Sequence, residues 1–343
     1  MESWEAGWQD AFEQAFRLCR VAAGENVAVL AESLSRPVNV ALAEAALQRL
    51  GARPVRVTLP SPRPAAPVPV RSTGASRAIA GHPGALAAIG ACTFLVDLTV
   101  EGVLHAPELP AILKGGTRVL MVSNEHPETL ERLVPLEGDD VPVKAAVKRL
   151  RAAQRMRVSS AAGTALDIAT DGAPVAGVWG WTDRPGTVAH WPGGVVVAFP
   201  RAGTVNGRLV LDAGDVNLSF KRYLERPVVL TIEDDHVTRI EGEGADAAMM
   251  RRHLEAWGDP LSYAVSHVGW GMNPRARYEA LLFHDKSDTN GTELRAVAGN
   301  FLFSTGANEF AGRHTEGHFD IPVFNTTIEL DGEAVVREGR LVA

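Results

Sequence analysis

The chain has 343 residues, 46% of them hydrophobic and 22% charged, with a formal net charge of −7. That length suits roughly two domains and a core that needs no staples. The negative balance, without any Lys/Arg-rich stripe, argues against a nucleic-acid surface, and no apolar run approaches the roughly 20 residues needed to span a bilayer.

The first segment, MESWEAGWQDAFEQAFRLC, is acidic and lacks the basic-then-apolar layout of a signal peptide. Trp4, Trp8, Phe12 and Phe16 recur every four residues, one face of a helix, which predicts a core stripe or a subunit contact. Cys19 and Cys92 lie in apolar surroundings without CxxC spacing. They read as reduced core residues, which suits a cytoplasmic protein.

Next come alternating strand-like and helix-like segments. NVAVLAE (Asn26–Glu32) predicts a strand, and a helix opens at Pro37 and closes at Gly51, the usual Pro-first, Gly-last asymmetry. RPVRVTL (Arg53–Leu59), CTFLVDLTV (Cys92–Val100) and TRVLMVS (Thr117–Ser123) predict further strands, with a helix between the last two. PSPRPAAPVPVR (Pro60–Arg71) reads as a Pro-rich surface loop. Such alternation predicts an α/β domain over residues 1–150, a parallel sheet flanked by helices. In that architecture the loops leaving the carboxyl ends of strands carry ligand chemistry, and one of them, EGVLHAPE, presents Leu104 and His105.

A Lys/Arg-rich helical segment, Val143 to Arg157, marks the boundary. Beyond it RMRVSSAAGTALDIAT, GTVAHWPGGVVVAFP, GRLVLDAG and PVVLTIEDDHVTRIEGE alternate apolar and polar residues between Gly-rich turns. That is the texture of a largely antiparallel sheet, interrupted by a helix over Ala245–Trp257, so residues 151–343 are expected to form an α+β domain.

Four H-x-[DE] pairs stand out, where 10 histidines and 41 acidic residues in 343 would give about one by chance. His126/Glu128 precedes a proline in an acidic cap region and reads as solvated; His314/Glu316 lies in a Gly-flanked loop. His253/Glu255 falls in a helix, where positions i and i+2 point apart. Only His318 and Asp320 run into a β-prone segment, where both side chains face one side and can share a metal. A third ligand would complete a 2-His-1-carboxylate face; the alternative is a polar turn ahead of a strand.

Four stretches carry a resemblance: SAAGTALDI (Ser160–Ile168), HWPGGVVVAFPRAGTVNGRLVLD (His190–Asp212), SHVGWGMNPRAR (Ser266–Arg277) and GHFDIPV (Gly317–Val323). Their order resembles that of the thermophilic-type metallo-aminopeptidases, the aminopeptidase T and S clan. The peptidase metal ligands are altered, however. The P-x-G-E glutamate is replaced in the run Pro192-Gly193-Gly194-Val195, His267 stands ahead of the Gly-x-Asn-Pro element where an acid is usual, and Glu293 is the one obvious donor in the later NGTELRAVAGN. This altered pattern is similar to the 2,5-dihydroxypyridine 5,6-dioxygenase family, as are Leu104-His105 and the AHWPGG around His190.

The resemblance implies a mononuclear Fe(II) enzyme of nicotinate breakdown. It would open 2,5-dihydroxypyridine with O2 to give N-formylmaleamate, with His267, His318 and Asp320 as metal ligands and subunits packed as a homo-oligomer. Such ring opening needs an acid–base group, for which His105 on the sheet-end loop is the candidate, while His190 would orient the substrate, with Leu104, Trp191 and Ser304 around the ring. On residue context alone, His105 could instead cap a helix, Trp191 suits core packing, and Ser304 suits turn chemistry. A residual aminopeptidase and a member without catalysis are the competing readings.

Overall fold

Strands buried along their length build the centre of the first sheet. In chain order come α1 (Ala6–Leu18), β1 (Asn26–Glu32), α2 (Pro37–Arg49), β2 (Arg53–Leu59), α3 (Pro83–Gly90), β3 (Phe94–Asp97), α4 (Leu109–Lys114), β4 (Arg118–Val122), α5 (Pro127–Arg132) and α6 (Asp140–Ala152). In β1, Val27 and Val29 join the core formed with α1 and α2, while Ala28 and Leu30 join that formed with α3 and α4. The sheet is therefore covered on both faces, as parallel sheets require. From the aromatic stripe of α1, Phe12 and Phe16 are fully buried, each contributing about 1.5–3 kcal/mol of burial free energy, whereas Trp4, just ahead of the helix, remains exposed. α2 starts at Pro37 as expected, and Gly51 beyond its end has the positive φ (+76°) that stops it.

This computed structural model describes residues 4–64, 66–67 and 76–342. The expected Pro60–Arg71 loop lies partly outside the described residues. No helix among the described residues is long and apolar enough to cross a membrane.

The second half supplies β5 (Arg155–Ser160), β6 (Ala165–Ala169), β7 (Val175–Val178), β8 (Val188–Trp191), β9 (Val195–Ala198), β10 (Val205–Leu211), β11 (Val216–Asn217), β12 (Arg222–Tyr223), β13 (Val228–Glu233) and β14 (His236–Glu241). After α7 (Gly244–Ala256) come β15 (Val265–Gly271), α8 (Thr292–Ala296), β16 (Phe301–Thr305), β17 (Phe319–Val323), β18 (Thr326–Leu330), β19 (Glu333–Arg337) and β20 (Arg340–Leu341). An eight-stranded sheet in the order β14-β13-β10-β6-β5-β18-β19-β20 and a five-stranded sheet in the order β17-β16-β15-β9-β7 are both antiparallel. Their apolar faces share one core: Val158, Leu209 and Ile328 come from the first, Val268, Phe303 and Ile321 from the second.

Three expectations are corrected. β8, read as part of an antiparallel sheet, instead pairs in parallel with β4 and becomes the fifth strand of the order β2-β1-β3-β4-β8. β3 ends at Asp97 rather than at Val100, because the Asp97 carboxylate captures the N–H groups of Thr99 and Val103 at 3.0 and 2.8 Å and turns the chain into a loop. α6 stops at Ala152, and Arg155–Arg157 enter β5, with Asp331 accepting from the Arg155 N–H at 2.9 Å.

Candidate metal centre

His318 immediately precedes β17 and Asp320 is its second residue, so the extended chain sends both to one side. Phe319 between them turns the other way, its ring 5.0 Å from that of His253 in the core. β16 lies beside them, pairing Ser304 with Asp320, and leaves the sheet at Gly306. A Cβ at Gly306 would stand 2.7 Å from the His318 Cα, and its φ is +101°, so glycine is needed there to let the strand pass. His267 comes from β15, where the register against β16 shifts between Val265 and Val268. Such a bulge re-aims a side chain. Ser304, expected to bind substrate, secures this irregularity instead: its Oγ accepts from the His267 N–H and donates to the His267 carbonyl, each at 3.0 Å.

The three side chains meet. Asp320 Oδ1 lies 3.4 Å from His267 Nε2 and 3.3 Å from His318 Nε2. Two metal–ligand bonds of about 2.1 Å at right angles would set their donors about 3 Å apart, so a small contraction around a cation fits. Oδ1 is buried and lacks a hydrogen-bond donor. A carboxylate oxygen stranded between two imidazole nitrogens is the arrangement a cation resolves. The other oxygen, Oδ2, accepts from Arg295 Nε at 2.6 Å, which fixes the carboxylate's direction. Burial alone would raise the Asp320 pKa, but the Arg295 guanidinium beside it holds it well below the usual carboxylate range. Burial drives His267 down to about 3 and lowers His318, so both imidazoles are neutral donors.

His105 reaches the same point from the other half of the chain. Its loop is shaped by Asp97 and by Glu32, whose Oε1 accepts from the Val100 N–H at 3.1 Å. The His105 ring lies 4.4 Å from that of His318, and its Nδ1 is 2.8 Å from Glu309 Oε1. His105 also offers a nitrogen within 4.8 Å of those of His267 and His318, so three imidazoles and a carboxylate converge. Burial lowers His190 to about 4; its neutral ring donates from Nδ1 to the Pro192 carbonyl at 2.6 Å.

These groups line a cavity of about 410 Å³ that also includes Leu104, Phe199, Arg295 and Phe310. Trp191, expected as its wall, lies elsewhere: alternation along β8 turns it away from His190 into the first core, 5.0 Å from Phe12, with Nε1 donating to the Leu133 carbonyl. The aromatic wall is supplied by Phe199, 5.6 Å from the His267 ring, and Phe310, 4.8 Å from Phe199. Neither followed from motif spacing, and nor did Arg295 or Glu309.

α8 brings Arg295 into place. Its N-terminal turn is held by Glu125 from the first half, which accepts from the N–H groups of Asn290, Gly291 and Thr292 at 2.7, 2.8 and 2.9 Å. Glu293 points away, paired with Arg132 and accepting from the Arg277 N–H, and is no part of the cavity. A second histidine grouping, His126, Glu128 and His284, sits nearer the surface. Its rings are stacked 4.3 Å apart at 23°. The His267 and His318 planes cross at 42°.

The profile of the NicX family, described as 2,5-dihydroxypyridine 5,6-dioxygenase, matches residues 7–343. The 2,5-dihydroxypyridine 5,6-dioxygenase of Pseudomonas putida KT2440 is 39% identical over 336 residues, 97% of this chain and 95% of that protein. The solved structure of the dioxygenase from that organism superposes with a TM-score of 0.93 at 38% identity, covering 100% of this chain and 99% of the other. Wild-type AmpT from Thermus thermophilus superposes with a TM-score of 0.66 at 16% identity, covering 99% and 100%, a likeness of fold.

Proposed function

The chain belongs to the 2,5-dihydroxypyridine 5,6-dioxygenase family, and from that membership we propose that His267, His318 and Asp320 hold one Fe(II) at which 2,5-dihydroxypyridine is opened. The reaction joins C5H5NO2 and O2 into N-formylmaleamic acid, C5H5NO4, breaking one ring carbon–carbon bond and retaining both oxygen atoms. The observation that carries the assignment is the buried Asp320 Oδ1, without a donor and 3.3–3.4 Å from two imidazole nitrogens. When bound, iron supplies open positions for a ring oxygen and O2 and the electrons that activate the latter.

The remaining work falls to the chain's own side chains. His105 accepts the proton of the ring hydroxyl and returns it as the ring opens. Its reach into the cavity supports that role. His190, kept neutral, leaves Nε2 to accept a hydrogen bond from the ring and orient it. Leu104, Phe199 and Phe310 give a flat heteroaromatic its apolar contacts. Arg295 holds Asp320 ionised and aimed.

A second reading makes His105 a metal ligand in place of Asp320, because its nitrogen lies with those of His267 and His318. Iron retention in His105→Ala separates the two. The peptidase alternative lacks the glutamate at Val195 and has only a shared fold behind it.

The division into residues 1–150 and 151–343 stands as part of this proposal, with β8 crossing it to complete the first sheet. Unpaired buried Cys19 and Cys92 support a cytoplasmic setting, the substrate class supports a place in nicotinate breakdown, and exposed Trp4 and Leu282 support subunit packing. The deciding experiment reconstitutes anaerobic protein with Fe(II) and follows oxygen. One O2 consumed per dihydroxypyridine, with loss of its near-ultraviolet band, is expected. Leucyl-peptide cleavage without oxygen uptake would refute the assignment.

A further inference from the structure

His105 and Glu309 are 204 residues apart, on a loop of the first sheet and on the turn after β16. Their side chains still meet at 2.8 Å, with the carboxylate only 23% exposed and the imidazole 10%. A carboxylate only accepts hydrogen bonds, so the His105 nitrogen facing it, Nδ1, must carry a proton. In the neutral ring the lone pair then falls on Nε2, the atom left for the cavity. We propose that Glu309 is a positioning residue that fixes the tautomer and direction of His105, so that the proton-accepting nitrogen faces the substrate hydroxyl.

The proposal rests on the acid–base reading of His105 given above and deepens it. His126 shows the contrast within the same molecule: its Nδ1 accepts from the Glu128 N–H at 3.3 Å, the opposite tautomer, and it caps a helix. His105 makes no such cap, because α4 begins at Leu109 with Glu108 at its N-cap. Burial would push the Glu309 carboxyl up, yet its hydrogen bond with His105 keeps it below the usual carboxylate range. The contact also joins the two halves of the chain, so the base is complete only where both halves close on the cavity.

The test uses full-length protein with Glu309→Ala and Glu309→Gln. In metal-free protein near neutral pH, long-range proton–nitrogen correlation spectra should show His105 protonated on Nδ1 in the parent. Glu309→Ala should move that proton toward Nε2, and Glu309→Gln, whose amide oxygen still accepts, should keep the parental pattern in part. In iron-loaded enzyme, kcat should fall roughly 10–100-fold in the alanine variant with KM changed less than about threefold, and the glutamine variant should recover part of the loss. Iron retention and far-ultraviolet dichroism should match the parent in both. A parental tautomer and parental kcat in Glu309→Ala would overturn the inference. Should Glu309→Ala fail to fold, the tautomer and kcat of Glu309→Gln decide instead. An unimpaired His105→Ala would sink the acid–base reading itself, whereas an impaired His105→Ala beside an unimpaired Glu309→Ala would sink the positioning role alone.

Discussion

Two regions of this molecule gather histidines with an acid, and they share little else. His267, His318 and Asp320 are buried on or beside two strands that flank β16, with Asp320 Oδ1 facing both imidazoles and making no hydrogen bond. His126, His284 and Glu128 sit on a short helix and a loop, with Glu128 62% exposed and 3.8 Å from each ring. Residue type is the same in both. What differs is burial: the first cluster is largely removed from solvent, and its two rings meet at 42°.

The comparison can be broken most directly at the first cluster. His318→Ala should abolish iron retention, read by elemental analysis after anaerobic reconstitution and desalting. Retention of stoichiometric iron would mean that the ligands lie elsewhere. His105→Ala should keep iron and lose about 10²–10⁴-fold in kcat, measured by oxygen uptake. Loss of iron instead would make His105 a ligand and enlarge the cluster.

A third kind of histidine sharpens the contrast. His253 is buried among Phe220, Trp257 and Phe319, and desolvation lowers it to about 4 from its ordinary 6.5. Below 6.5 the unfolded chain binds a proton that the folded one refuses until about 4, so His253 costs stability as pH falls through that window. Relative to His253→Gln, the parent should therefore lose up to about 1.4 kcal/mol per pH unit between these values, by urea titration at stepped pH. Parallel stability curves would refute it. The smallest effect is expected at the surface pair. His284→Ala should leave iron content and kcat unchanged and stability within about 0.5 kcal/mol. A drop in iron per chain would show that the stacked pair binds metal after all.

Much of the fold could be read from the chain because its signals are local: the Pro37 start, the Gly51 stop and the buried run of β1 all act within a few residues. The His318–Asp320 pair was legible for the same reason, since period two places both on one side of a strand. His267 required the family pattern, because nothing in VSHVGWG reveals that a bulge aims it at β17. Trp191 was expected at the ring as the neighbour of His190, and Ser304 as a hydrogen-bond partner of the ring substituents. Along a strand the adjacent side chain faces the opposite way, and a serine opposite a bulge is drawn to backbone. Arg295 and Glu309 were out of reach, because each acquires its meaning from a partner 25 or 204 residues away.

The parallel strand that arrives from beyond residue 150 has a consequence for dissection. A fragment ending there would leave β4 with an unsatisfied row of amides and carbonyls along a fully buried strand, a template for sticking to other chains. The two halves are thus sewn together by hydrogen-bonded backbone, and neither can be cut out and shuffled as a free-standing module.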